Sequence, residues 1–120
     1  MPIVQSLGLA MLGGIFAWAG FDHFLKFEPL AASLAERRFP ATKPLLAAGS
    51  LLELVAGTAL ALGFAVPVAA AALAVFTVLA NLMVLKFWRY SGAQRDGMRN
   101  AFKVNIALIG GLIVIFASSL

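Results

Sequence analysis

One carboxylate, Glu53, lies within an apolar stretch that is long enough to cross a membrane. An ionised side chain at the centre of a bilayer costs about 3 kcal/mol on insertion scales, so it usually faces protein and needs a partner or a proton. Gly49, Glu53 and Gly57 follow one another at four-residue spacing, which places them on one helix stripe where another helix can approach closely. Two interpretations stay open: the carboxylate only specifies packing, or it accepts protons and binds a ligand in a polar pocket.

Other polar side chains are predicted to lie near the same depth as Glu53. Because successive spans alternate in direction, residues late in one span and early in the next reach the same leaflet. The predicted ligand-binding residues, forming a pocket that opens toward the cytoplasm, are Glu53, His23, Asp22, Asn81, Asn105 and the membrane-edge Trp88.

The chain offers little for metal or thiol chemistry. It has no cysteine, which excludes disulfides and thiolate ligands. Zinc takes four ligands, and His23, Asp22 and Glu53 supply at most three, so no metal site is predicted. Asp22 and Lys26 are four residues apart and are expected to pair on the helix surface. No catalytic residue can be assigned from these types and spacings.

The elements that must position these residues are transmembrane helices. Of 120 residues 62% are hydrophobic and 12% are charged, whereas an ordinary soluble domain is about 45–50% apolar. A helix of about 20 apolar residues spans the hydrocarbon. The sequence predicts an all-α, integral membrane four-helix bundle in a single domain, with spans at about 3–24, 45–62, 67–85 and 102–120 and an interfacial helix at about 29–39.

The basic residues indicate an orientation. All nine lysines and arginines fall in the first and third connections, and short basic loops stay cytoplasmic. The first connection holds Lys26, Arg37, Arg38 and Lys43, and the third holds Lys86, Arg89, Arg95, Arg99 and Lys103. Both termini are therefore predicted outside, in a bacterial cytoplasmic (inner) membrane. The first span has no basic start, so it is expected to stay in the mature protein. The cations flank apolar stretches instead of forming one patch, so nucleic-acid binding is not predicted.

Several segments, taken in order, resemble the DoxX-like family of membrane proteins. The similar segments are 14–20 (GIFAWAG) followed by Asp22-His23, Arg38-Phe39-Pro40, 52–57 (LELVAG) through Leu62-Gly63, Phe87-Trp88, and Phe102-x-x-Asn105-x-Ala107-Leu108-x-Gly110-Gly111. Leu85 stands where many relatives have a histidine, and Val104 stands where many have a lysine. No role of that histidine is carried over to this chain.

The resemblance implies a four-helix membrane bundle, linked in some members to thiosulfate:quinone oxidoreduction or to membrane-bound redox complexes. The first functional hypothesis is an accessory subunit of a membrane redox system that binds a quinone or another hydrophobic ligand near Glu53. As an enzyme it would be at most a subunit that does not carry electrons. The alternative is a structural or assembly subunit, and a small transporter is a third class. The expected partners are membrane lipid, a redox protein or larger complex, and a second copy of the chain.

The orientation gives a direct test. A reporter attached to the N-terminus is expected to react with membrane-impermeant reagents added outside intact cells, because the first connection carries basic residues that stay cytoplasmic. A reporter that reacts only after the membrane is opened would contradict the predicted orientation.

Overall fold

The structure, a computed structural model, describes residues 2–36 and 42–119, and every regular element in them is helical. This confirms the predicted all-α class. The elements, in chain order, are α1 (Pro2–Leu25), α2 (Phe27–Glu36), α3 (Thr42–Leu62), α4 (Val66–Met83), a 3₁₀ turn (Phe87–Arg89) and α5 (Gly92–Ser118).

Four stretches of the described chain are long and apolar enough to cross a membrane. They are Ile3–Leu25, Thr42–Leu62, Val66–Arg89 and Gly92–Ser118. Large apolar side chains such as Ile3, Trp18 and Val55 lie exposed on these helices. A helix that is apolar on all sides belongs in a large core or in lipid. The chain is therefore an integral membrane protein whose helices contact lipid.

The first of two compact units, Met1–Ala65, is built on a close contact between α1 and α3. A Cβ atom added to Gly57 would lie 2.6 Å from the backbone N of Ala17 and 2.8 Å from the backbone O of Gly13. Without a side chain there, the two backbones can approach this closely, as small residues allow in lipid. Phe16 and Leu60 are buried within this unit. The short helix α2 also contacts α3.

The second unit, Val66–Leu120, contains α4, the 3₁₀ turn and α5, and α4 contacts α5. Leu73 of α4 and Leu112 of α5 are fully buried. Helix α5 begins at Gly92, well before residue 102, where the apolar span was predicted to begin. Hydropathy locates the part of a helix that suits hydrocarbon, but backbone hydrogen bonding continues through good helix formers such as Gln94, Arg95 and Met98. The basic segment before the span is therefore largely helical.

Helix ends follow the proline and glycine signals of the sequence. Helix α3 ends at Leu62, and Gly63 adopts a φ of +74°, which glycine tolerates best. The backbone N–H of Gly63 donates to Leu60 O at 3.1 Å, and that of Phe64 donates to Ala59 O at 2.8 Å. These two bonds form a Schellman motif, which satisfies carbonyls at the helix end. Pro67 lies in the first turn of α4, where its missing N–H costs nothing.

The predicted interfacial helix at 29–39 overlaps α2, which covers Phe27–Glu36. The rest of that prediction, together with Arg37, Arg38 and the Arg38-Phe39-Pro40 segment, lies outside the described residues.

The contact between α1 and α3 predicts a specific sensitivity at Gly57. Gly57→Ala is expected to lower the thermal unfolding midpoint in mild detergent, because the new Cβ meets backbone atoms of α1 and overpacking costs about 1–3 kcal/mol. The matched control is Gly110→Ala, where an added Cβ has no described atom within 4 Å. It should leave the midpoint unchanged or raise it, since alanine favours helix. Equal midpoints for the two variants would show that the close approach does not stabilise the fold.

Candidate functional site

The position of Glu53 is set by the glycine at which α1 crosses α3. A Cβ atom on Gly20 would lie 2.6 Å from Ser50 O, 2.7 Å from Leu54 N and 3.1 Å from the Cβ of Glu53. The α1 backbone therefore runs directly beside this turn of α3. His23 follows Gly20 by three residues, so it lies on the same face of α1, one turn further on.

Glu53 and His23 meet across this crossing. Oε1 of Glu53 lies 2.9 Å from Nδ1 of His23, close enough for an ion pair or a hydrogen bond. Glu53 is 6% exposed as a residue, whereas the His23 side chain is 35% exposed. The carboxylate is thus buried against protein, as the sequence predicts for a charge within an apolar span. The imidazole reaches from it toward the molecular surface.

Two oxygens of this site lack a well-formed hydrogen bond. Within the described residues, neither Glu53 Oε1 nor Ser50 Oγ has a partner of acceptable geometry, and both atoms are buried. Glu53 Oε1 nevertheless has His23 Nδ1 at 2.9 Å as an ion-pair contact, whereas Ser50 Oγ has no such neighbour in the described residues. Leaving a buried polar atom unpaired costs about 1–3 kcal/mol. Ser50 and Glu53, three residues apart, therefore present polar atoms with spare bonding capacity on one face of α3.

Asp22 and Lys26 form the expected pair on α1. Lys26 Nζ lies 3.3 Å from Asp22 Oδ2, with both side chains more than a third exposed. Exposed pairs four residues apart on a helix contribute about 0.3–0.5 kcal/mol. The contact engages Asp22 with Lys26 instead of with the His23–Glu53 pair.

Asn81 and Asn105 meet in the second unit. The Nδ2 group of Asn105 donates to Asn81 Oδ1 at 2.9 Å, and the Nδ2 group of Asn81 donates to the backbone O of Phe102 at 3.3 Å. Asn81 is buried. The two predicted asparagines therefore join α4 to α5 through amide hydrogen bonds. That they share a pocket with His23 and Glu53 stays a prediction.

Trp88 belongs to an aromatic cluster of the second unit. Its ring is edge-on to Phe87 at 5.4 Å and to Phe102 at 6.3 Å between centroids. Trp88 is more than half exposed. Aromatic rings of this kind are enriched at the membrane–water interface.

Ser50 is a site residue that was not predicted from the sequence. A serine in an apolar helix usually bonds its own backbone, as Thr77 does to Leu73 O at 2.7 Å, so its residue type gives no signal. Only the structure shows that Ser50 lies at the α1 crossing with its hydroxyl unpaired. Within the part of the chain that the structure describes, no three His, Asp and Glu side chains are grouped to hold a metal ion.

A match to a family model confirms the family relationship that the motifs indicate. The DoxX model matches residues 7–86 of the chain. The chain belongs to the DoxX family. The match includes Asp22, His23, Glu53 and Asn81, and it ends before Trp88 and Asn105. Neither a curated protein nor a solved structure gives a significant match.

The asparagine contact of this DoxX protein yields a stability test. Asn105→Ala is expected to lower the thermal unfolding midpoint in detergent, because Asn81 Oδ1 loses its donor. Hydrogen bonds between membrane helices contribute about 0.6 kcal/mol on average and up to about 1.7 kcal/mol. Asn100→Ala is the matched control, since Asn100 is exposed on the same helix. A control that destabilises as much as Asn105→Ala would contradict a specific role for the bond.

Proposed function

We propose that this DoxX protein binds a quinone, or another hydrophobic molecule with a polar head group, beside His23 and Glu53. In this role it is an accessory subunit of a membrane redox system and carries no electrons itself. The observation that supports the proposal most is the buried Ser50–Glu53 turn, where a hydroxyl and a carboxylate oxygen with spare bonding capacity lie beside a histidine.

The groups of this turn suit both forms of a quinone head. The carbonyl oxygens of a quinone accept hydrogen bonds, which the Ser50 hydroxyl and an imidazole N–H can donate. The hydroxyls of a quinol donate hydrogen bonds, which the Glu53 carboxylate accepts. A site that can both donate and accept therefore fits a ligand that changes between the two forms.

The proposed sources of the electrons and protons follow from the residue types. Reduction of a quinone takes two electrons and two protons. In the proposal, a partner redox protein supplies the electrons, and the His23–Glu53 pair, whose Nδ1 and Oε1 share one proton, passes protons to the ligand as the surroundings replace them. The partly exposed imidazole of His23 connects the buried carboxylate to its surroundings. The apolar tail of such a ligand matches the lipid-facing surface of the helices. The proposed location is a bacterial cytoplasmic membrane, with both termini outside.

The second candidate is a structural or assembly subunit. The tight contact of α1 with α3 favours it, because His23 and Glu53 then serve only to hold two helices in register. The two candidates differ in what they assign to Ser50. A hydroxyl without a hydrogen-bond partner in the described residues adds no bond between the helices, whereas it contributes to binding if a ligand head bonds to it.

Ser50→Ala therefore separates the candidates. The variant is expected to lose affinity for a short-chain ubiquinone about fivefold, since a neutral hydrogen bond contributes about 1 kcal/mol. Its unfolding midpoint without ligand should stay the same or rise, because a buried unpaired hydroxyl is removed. The measurements are equilibrium titration of the purified protein in mild detergent and extraction of co-purified quinone. The control is Thr58→Val, which removes an exposed hydroxyl from the same helix.

Glu53→Gln completes the test, with Glu28→Gln as its control because Glu28 is exposed and pairs with Lys43 at 3.6 Å. The Glu53 variant keeps the size of the side chain but removes the charge of the oxygen that accepts from a quinol hydroxyl, so the affinity for quinol should fall. Unchanged quinone affinity in Ser50→Ala together with unchanged quinol affinity in Glu53→Gln would refute ligand binding and leave the structural role.

A further inference from the structure

The net charge of this protein is concentrated in one segment. Residues 1–65 contain four basic and four acidic side chains, whereas residues 66–120 contain five basic side chains and one acid, Asp96. All five of these basic residues lie between Lys86 and Lys103. The whole net charge of +4 therefore resides in the second unit, within residues 86–103.

The basic residues of the two units also differ in their partners. In the first unit, Lys26 pairs with Asp22 at 3.3 Å and Lys43 pairs with Glu28 at 3.6 Å. In the second unit, no ion pair joins a basic residue to Asp96, the one acidic side chain of residues 66–119. The guanidinium of Arg95 instead lies 6.0 Å from the centroid of the Phe87 ring.

Three of these cations line one face of α5. Arg95, Arg99 and Lys103 are spaced four residues apart within the helix and are all exposed, and we call them the basic stripe. Like charges at this spacing repel, each pair by a few tenths of a kcal/mol. Arg95 also lies near the helix N-terminus, whose dipole disfavours cations. An anion along the basic stripe would relieve both effects.

The depth of the basic stripe is fixed by its neighbours. The apolar part of α5 begins directly after Lys103, and the Phe87, Trp88 and Phe102 rings cluster beside it. Such aromatic residues mark the interface between hydrocarbon and head groups. At 1.5 Å per residue, Arg99 and Arg95 lie about 6 Å and 12 Å further along the helix. The basic stripe therefore runs from the membrane edge through the layer that lipid head groups occupy.

We propose that the basic stripe binds the phosphate groups of anionic phospholipids in the surrounding bilayer. Three observations carry the proposal: the unpaired cations, their alignment on one exposed face, and the aromatic cluster at the base of that face. Basic clusters immediately beside a membrane helix are attracted to anionic lipid. An acidic protein would also be attracted to the basic stripe, but the neighbouring aromatic residues and the position of Lys103 at the membrane edge favour lipid. The proposal is independent of quinone binding beside Ser50, His23 and Glu53, since the basic stripe contains none of these residues.

The test compares lipid retention by the full chain in native mass spectrometry. Wild-type protein in mild detergent is offered phosphatidylglycerol and phosphatidylcholine with identical acyl chains, and it should retain phosphatidylglycerol preferentially. A basic residue near an anionic surface contributes about fivefold, so Arg95→Gln with Arg99→Gln should weaken phosphatidylglycerol binding roughly twenty- to thirtyfold. The matched double control is Lys26→Gln with Lys43→Gln, which removes two cations that already have carboxylate partners. It should retain wild-type preference.

A conservative variant and a salt series distinguish the loss of positive charge from misfolding. Arg95→Lys with Arg99→Lys keeps the charge and should retain most of the preference, and the wild-type preference should fall as salt rises. Equal losses in the two glutamine doubles would overturn the proposal, because the effect would then come from total charge. A wild-type protein that shows no phosphatidylglycerol preference but binds polyglutamate through Arg95 and Arg99 would also overturn it, and would assign the basic stripe to an acidic protein.

Discussion

The close approach of α1 and α3 is the constraint on which the candidate site depends. Lipid tails are as apolar as leucine, so helices in a membrane associate through packing and hydrogen bonds instead of a hydrophobic driving force. Gly13, Gly20 and Gly57 allow this packing by letting backbone meet backbone. Since His23 lies one turn beyond Gly20, the same crossing brings its imidazole within 2.9 Å of the buried Glu53 carboxylate. The polar chemistry of this unit is thus a consequence of glycine placement.

Residue types alone were sufficient to predict the membrane-spanning helices and the burial of Glu53. Hydropathy identified the four apolar stretches, Gly63 identified the end of α3, and a carboxylate in an apolar helix identified Glu53 as a buried group. The side chains that each polar residue contacts were harder to predict, because these contacts depend on how each helix is rotated about its axis. Asn81 and Asn105 were placed at similar depth from the sequence, but their hydrogen bond required the packing of α4 on α5. Ser50 gave no signal, since only the crossing makes its hydroxyl unusual.

The two units have different kinds of polar chemistry. In the first, the buried Glu53 carboxylate contacts the partly exposed His23 imidazole, while the exposed Lys26 and Lys43 are paired with acids. In the second, the amide of the buried Asn81 bonds that of the partly buried Asn105, while no ion pair joins the basic stripe to Asp96 within the described residues. The ionisable His23–Glu53 pair therefore lies within residues 20–53, and the net positive charge lies within residues 86–103. A substitution in one segment should leave the other property intact.

The order of α1 and α3 along the chain has a consequence for biogenesis. A protein made on the ribosome presents α1 to the membrane first, so His23 is already in place when α3 follows. Glu53 can then enter the bilayer beside the imidazole of His23. This contact offsets part of the free energy of about 3 kcal/mol that inserting a lone acidic side chain costs. With the order reversed, the carboxylate would face lipid alone until its partner was translated. The order of the helices thus lets Glu53 enter the membrane after His23, the side chain with which it can share a proton.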